Sequence, residues 1–446
     1  MLSQVAPLPA PGATGPFKVV LINAYELGRQ PFALAEPAAW LKREGFAVTC
    51  LDLSLQKLDP EILEDADLAA LYVGMHTATR IAVQALPRIK RLAPKAHLCV
   101  FGLYAPMNEA LLRRLGVGTV LGGELEPALV SLCQRLRANG TVMIQSEPVI
   151  SLGKVPFVVP DRSGLPKLSR YAHLVLPDGS TRVAGFAEGS RGCKHLCRHC
   201  PVVPVYQGKF RIVPVNVVME DIRQQVKEGA THISFGDPDF FNGPTHGLRL
   251  ARALHEAFPH VTFDATIKIL RPLATNHTSR DFDRAVALTR EAGIALAPTF
   301  VAFTPWTTLE GYIALLERLV ELQIVESVPP VQLTIRLLVP EGSYLLQLPG
   351  FKEKLKAFDA ELLGYPWSHP DPRVDRLQQD LQVWVARCEA EDLARREVFD
   401  SIWRMAHEAA GRPAQKLAGN LGAPIPRLSE PWYCCAEPTD HQLQSF

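Results

Sequence analysis

The chain lacks any run of 18 or more apolar residues, so no transmembrane helix is expected. It lacks a charge imbalance: 47 Lys and Arg stand against 46 Asp and Glu, which leaves no net field to draw it to nucleic acid or an anionic membrane. Residues 1–16 show no charged segment followed by an apolar one. They read as a lead-in rather than a secretory signal, and the expected location is the cytoplasm. A disulfide framework is also missing. Nine cysteines is an odd count, three of them cluster mid-chain and two are adjacent near the C-terminus. That is cysteine used as a ligand in a reducing compartment. No internal repeat of fixed period occurs. What is there is a globular composition, 47% hydrophobic and 21% charged over 446 residues. It suffices for two or three domains with a large core and no need of disulfides.

Strands are expected at 18–23, 47–52, 68–75, 97–102 and 119–122, alternating with helices at 31–44, 60–64, 80–92, 108–115 and 127–138. The first strand is a continuous apolar run, the type buried on both faces of a parallel sheet. This rhythm predicts a doubly wound α/β domain over 17–140. Residues 141–185, with several prolines and Gly/Asp/Ser turns, read as an interdomain connection containing one hairpin. A second series follows, with strands at 186–190, 232–235, 261–266, 295–300 and 332–338 and helices at 216–228, 246–257, 279–292 and 307–322. It predicts a partial (β/α)6 barrel over 186–340. Residues 341–411 read as helical, with a helix near 373–410, and 412–446 as a Pro/Gly-rich tail.

The strongest motif is Gly189-Ser-Arg-Gly-Cys-Lys-His-Leu-Cys-Arg-His-Cys-Pro201, in which Cys193, Cys197 and Cys200 are spaced C-x3-C-x2-C. Soft, anionic thiolates suit an iron–sulfur cluster. Three of them on one loop hold three irons of a [4Fe–4S] cluster and leave the fourth iron open to a chelating ligand. The alternative is zinc, whose closed four-ligand site His195 and His199 are placed to complete. The motif resembles the radical S-adenosylmethionine superfamily. By that resemblance the open iron takes the amino and carboxylate groups of S-adenosylmethionine, and His199, the ring before the last cysteine, packs on the adenine. Gly236-Asp-Pro-Asp239 follows a strand where the superfamily meets the amino group of S-adenosylmethionine, which makes Gly236, Asp237 and Asp239 candidates. Lys268 and Arg336 are candidates for its carboxylate.

The arrangement also resembles enzymes that carry a cobalamin-binding domain before the radical barrel. Gly122-Gly-Glu-Leu-Glu-Pro127 looks like the strand-to-helix turn that closes such a domain, and Gly74-Met-His-Thr-Ala-Thr-Arg80 like its mid-domain loop. The Asp-x-His-x-x-Gly signature of histidine-ligated cobalamin is missing. The domain is therefore read as a scaffold or cap, with cobalamin the alternative. His76 is either a loop ligand or a hydrogen-bonded structural histidine.

Cys434 and Cys435 stand in Trp432-Tyr-Cys-Cys-Ala-Glu-Pro-Thr439. Two adjacent thiols in a Pro-rich tail fit core packing poorly, and a vicinal disulfide is strained. A thiophilic ligand such as trivalent arsenic suits them, with Cys388 or a hydroxide as third ligand. The tail resembles the radical S-adenosylmethionine proteins named for a CUAEP or CCAEP signature, and Cys435 falls on the selenocysteine position. That resemblance implies arsinothricin biosynthesis: transfer of the 3-amino-3-carboxypropyl group to arsenite, 5′-methylthioadenosine as by-product, and a low-potential electron donor of flavodoxin or ferredoxin type as partner. The rivals are a cobalamin-dependent radical methyltransferase, a 5′-deoxyadenosyl-radical enzyme acting on an organic substrate, and a zinc-bound arsenic sensor.

Overall fold

The structure is a computed structural model, and it describes residues 15–138, 146–267 and 279–430. The chain opens with the alternation its apolar runs predict: β1 Lys18–Asn23, α1 Phe32–Arg43, β2 Ala47–Asp52, α2 Pro60–Leu63, β3 Leu68–Tyr72, α3 His76–Leu92, β4 His97–Phe101, α4 Glu109–Arg114, β5 Thr119–Gly123 and α5 Glu126–Arg137. A short sixth strand, β6 Ile150–Ser151, comes from the segment read as a connection and adds to the edge of the same sheet beside β5. The strands form one parallel sheet in the order β2-β1-β3-β4-β5-β6. Successive residues of a strand face opposite sides. Val20, Ile22, Ala69, Leu71 and Val100 join Ile81, Leu86 and Ile89 of α3 in one core. Val19, Leu21, Leu68, Ala70 and Phe101 join Leu34 and Leu41 of α1 and Leu129 and Leu132 of α5 in another. A sheet covered on both faces needs strands that are apolar throughout.

The connecting segment carries the expected hairpin, β7 His173–Val175 against β8 Thr181–Ala187. Its turn closes with Gly179 at φ +82° and with Asp178 accepting from the Ser180 backbone N–H at 2.9 Å. Arg162 locks this segment in place. Its guanidinium makes a two-toothed pair with Asp221 at 2.6 and 2.9 Å and also donates to Gln30 Oε1 at 2.9 Å and to the Phe186 carbonyl at 2.7 Å.

β8 is followed by β9 Ser190–Gly192, α6 Val202–Tyr206, β10 Phe210–Ile212, α7 Val215–Lys227, β11 His232–Phe235, α8 Pro244–Ala257, β12 Thr262–Ala265 and α9 Ser279–Glu291. β8, β11 and β12 are parallel neighbours, with α7 and α8 packed on them through Val218, Ile222, Leu250 and Leu254. Two expected strands do not form. Residues 295–300 are extended but unpaired as a strand, and 332–338 begins inside a 3-10 turn, Pro330–Leu333. Pro298 has no N–H to donate within the first stretch, and Pro330 opens the turn that takes up the start of the second. What persists is one parallel bridge between Phe303 and Arg336, with Phe303 N–H on the Ile335 carbonyl at 2.9 Å and Leu337 N–H on the Phe303 carbonyl at 2.8 Å.

The rest is helical: α10 Leu309–Glu321, α11 Pro372–Ala390 and α12 Arg395–Ala409 share a core that includes Leu316, Leu381 and Ile402. The helix expected at 373–410 is two helices, broken where Asp392 takes φ +50°. A final strand, β13 Arg427–Leu428, pairs antiparallel with β7. Among the described residues no helix is long and apolar enough to cross a membrane.

Candidate functional site

β8 ends at Ala187, and the chain then makes an excursion closed by the antiparallel pair β9 and β10. The three clustered cysteines lie on the excursion. Gly192 opens it at φ +70°, where an added Cβ would stand 2.3 Å from the Lys209 carbonyl oxygen, so the close approach of the two limbs requires glycine. Cys193 and Cys197 are buried and Cys200 half-buried. Cys200 N–H bonds the Cys197 carbonyl at 3.0 Å, and Val203 N–H bonds that of Cys200 at 3.2 Å, which leads the loop into α6.

The loop is held from the end of β11. Asp237, buried at 3% exposure, accepts from the Gly189 N–H at 2.9 Å and from the Ser190 hydroxyl. Burial raises its carboxyl to about 6. Asp239 caps the next turn by accepting from Phe241 N–H at 3.0 Å, and His195 Nε2 lies 3.0 Å from its other oxygen. Asn242 accepts from Lys194 N–H at 3.2 Å and donates its amide to Cys193 Sγ at 3.3 Å. Gly236 lies against Phe186, whose ring an added Cβ would meet at 2.0 Å.

Opposite this anchor lies a second one that spacing did not reveal. Side chains alternate along β9, so Arg191 points away from Asp237 and into the C-terminal end of the first sheet. There it pairs with Glu126 at 2.8 Å, Glu124 at 3.4 Å, Glu188 at 3.5 Å and also Glu36. Its guanidinium lies 5.2 Å from the centre of the Phe157 ring. One cation faces four carboxylates. Burial pushes Glu126 up to about 8 and Glu124 up to about 7, and Glu188 is raised by enclosure and by Asp237. Glu26, past the end of β1, is raised to about 8 for the same reason. The available signal was Glu124-x-Glu126, two acids entering a helix with no basic residue beside them in sequence.

The other candidates fall as follows. His199 is half-buried on the cysteine loop. Arg336 is committed within the protein: it pairs with Asp375 at 2.8 Å and stacks 3.6 Å from the centre of the Trp367 ring. His76 is buried, with Nε2 donating to the Leu362 carbonyl at 2.6 Å, and burial lowers its pKa to about 4. Cys388, at 1% exposure, is packed in the core of α10, α11 and α12 rather than presented as an arsenic ligand. Lys268, Cys434 and Cys435 lie outside the described residues.

The donor chemistry fits an iron–sulfur cluster: three thiols on one short loop, one of them already hydrogen-bonded at sulfur. As the side chains stand, no three His, Cys, Asp or Glu among the described residues converge on one point. A histidine-ligated cobalamin does not fit. His76 and His97 are the histidines of residues 17–140, and the Nε2 atoms of both are engaged, that of His97 with Thr119 at 2.8 Å.

No protein-family model matches the chain, and no curated protein matches its sequence. Solved structures do. The radical S-adenosylmethionine methyltransferase TsrM from Kitasatospora setae, with tryptophan and an S-adenosylmethionine analogue bound, aligns at TM-score 0.54 and 18% identity over 69% of this chain and 71% of that one. The same enzyme with cobalamin and a [4Fe–4S] cluster bound aligns at TM-score 0.54 and 18% identity over 69% and 73%. The chain therefore has the α/β fold of these enzymes, a doubly wound parallel sheet joined to the sheet whose strand β8 delivers the cysteine loop.

Proposed function

We propose that the chain is a radical S-adenosylmethionine enzyme, an alkyl-group transferase that moves the 3-amino-3-carboxypropyl group of S-adenosylmethionine to trivalent arsenic. The products are hydroxyarsinothricin and 5′-methylthioadenosine. The observation that carries the class is the anchored loop of Cys193, Cys197 and Cys200 past the end of β8, in a fold shared with TsrM. The choice of arsenic rests on the tail, Cys434-Cys-Ala-Glu-Pro438, and its resemblance to the CCAEP proteins.

Cys193, Cys197 and Cys200 would hold the [4Fe–4S] cluster. When bound, it supplies the electron that breaks the sulfonium bond to Cγ. The chain's own residues do the rest. Asp237 fixes the root of the loop through Gly189 and Ser190, Asp239 and Asn242 fix its first turn, and Arg191 braces it against the first sheet. Which bond of the sulfonium breaks depends on which carbon the site turns toward the loop, so a rigid loop is a condition of selectivity. Cys434 and Cys435 would hold arsenite as substrate, and a low-potential carrier of flavodoxin or ferredoxin type would supply electrons. No nucleic-acid or membrane partner is proposed.

A second reading is cobalamin-dependent methyl transfer, favoured by the likeness to TsrM with cobalamin bound. Product analysis separates the readings. Anaerobically reconstituted protein is given S-adenosylmethionine, arsenite and a strong reductant. 5′-Methylthioadenosine with an arsenic-bearing amino acid supports the first reading. S-adenosylhomocysteine with bound cobalamin supports the second, and 5′-deoxyadenosine with unchanged arsenite rejects both.

A further inference from the structure

The chain is balanced in charge overall, yet residues 189–219 contain Arg191, Lys194, Arg198, Lys209 and Arg211 and no Asp or Glu. Residues 240–255 add Arg249 and Arg252, again with no acid. Of these, Lys194, Arg198, Lys209, Arg249 and Arg252 are exposed. Arg191 is turned inward, and Arg211 donates to the Leu152 carbonyl at 2.9 Å.

Large apolar side chains stand exposed among the same segments: Leu196 at 59%, Phe241 at 53%, Leu248 at 50% and Ile212 at 48%. The segments touch. A Cβ at Gly208 would lie 3.3 Å from Leu196, one at Gly243 would lie 3.3 Å from the Phe210 ring, and Lys194 Nζ donates to the Asn242 carbonyl at 2.6 Å. Loop 194–198, the turn at 207–210 and the start of α8 therefore adjoin, and exposed apolar and basic side chains are interspersed over them. Exposed apolar side chains among charged ones mark a protein-binding surface.

The identity of the partner follows from what the face is made of. It is built on the loop that carries Cys193, Cys197 and Cys200. On the function proposed above, that loop must receive an electron from outside the chain, and electron transfer weakens steeply with distance. We propose that this face is the docking surface for an acidic, low-potential electron carrier of the flavodoxin type, held by charge and by apolar contact. One electron passes from the reduced flavin, which is oxidised, to the centre behind the loop, which is reduced, and no bond is made. Charge steering of this kind raises association rates and fades with salt.

The test uses the full chain and an acidic flavodoxin. Binding is measured at low and high ionic strength for the wild type and for a Lys209→Glu, Arg249→Glu double variant, two positions away from the cysteines. The expected result is a Kd raised at least tenfold by the substitutions and also raised by salt. Cleavage of S-adenosylmethionine driven by reduced flavodoxin should fall about tenfold in the variant, with cleavage driven by dithionite unchanged. Equal flavodoxin affinity in wild type and variant would overturn the proposal. So would self-association of the chain that the variant abolishes, which would assign the face to a second copy. Salt-sensitive flavodoxin binding by a wild type that never cleaves S-adenosylmethionine, even with dithionite, would sink the enzyme reading and leave the surface standing.

Discussion

Asn242 donates its side-chain amide to the sulfur of Cys193 at 3.3 Å while its carbonyl oxygen accepts from the next backbone N–H of the same loop. One side chain thus holds the first cysteine by its sulfur and by the backbone that follows it. Hydrogen bonds to ligand sulfur stabilise the more negative, reduced state of an iron–sulfur centre. Asn242→Leu should therefore lower the reduction potential of the reconstituted cluster and weaken its retention. A redox titration followed by electron paramagnetic resonance checks this, and an unchanged potential would remove Asn242 from the site.

Among the described residues, Arg191 is the cation that pairs with Glu36, Glu124, Glu126 and Glu188. Removing one member of a buried charge network strands the others, at a cost of about 3–5 kcal/mol. Arg191→Gln should destabilise the chain by that order in urea unfolding. The loss should be smaller at pH 6 than at pH 8.5, because protonated glutamates no longer need the cation.

Glu26 and Glu126 are raised to about 8 and Glu124 to about 7, each chiefly by burial. The native state holds protons on these groups that the unfolded chain releases from about pH 4.5 upward. With more protons bound in the native state, stability falls as pH rises, by up to about 1.4 kcal/mol per pH unit per group, and levels off above about pH 8. Urea unfolding from pH 5 to 9 should show this decline, and Glu26→Gln should flatten it. A profile that rises over the same window would contradict the assignment.

Arg336 spends its charge on Asp375 and its plane on Trp367. A stacked, partly desolvated guanidinium contributes about 1–2 kcal/mol. Arg336→Gln should lower stability by that amount and leave the affinity for S-adenosylmethionine unchanged, measured by equilibrium dialysis. A large loss of affinity would return Arg336 to the binding site.

The doubly wound sheet was legible because its first strand, Lys18–Asn23, is a continuous apolar run and strand and helix patterns alternate after it, whereas two-residue β6 left no such signal. The later barrel strands were less legible. Residues 295–300 and 332–338 have the right hydrophobicity, but Pro298 withholds a donor from the first and a 3-10 turn takes up the start of the second, and hydrophobicity alone reports neither. The site divides in the same way. Cys193, Cys197 and Cys200 announce themselves by spacing, and Asp237 by its place after a strand. The task Asp237 performs, gripping Gly189 and Ser190, depends on a contact 47 to 48 residues away in sequence. Arg191 was invisible as a brace because its partners come from α1, from the turn before α5 and from Glu188.

β13 ties the last described residues back to the two sheets. Beyond its pairing with β7, Ser429 N–H bonds the His173 carbonyl at 2.7 Å, and Glu430 receives the Tyr25 hydroxyl at 2.5 Å beside Gly28. Tyr25 and Gly28 belong to the loop that leaves β1, and neighbouring Arg29 lies 4.7 Å from the centre of the Phe186 ring near the end of β8. The end of the described chain is thus fastened to segments some four hundred and two hundred and fifty residues earlier. A chain cut before Arg427 would lose the backbone pairing that covers the outer edge of β7, and an uncovered strand edge is open to pairing with another molecule.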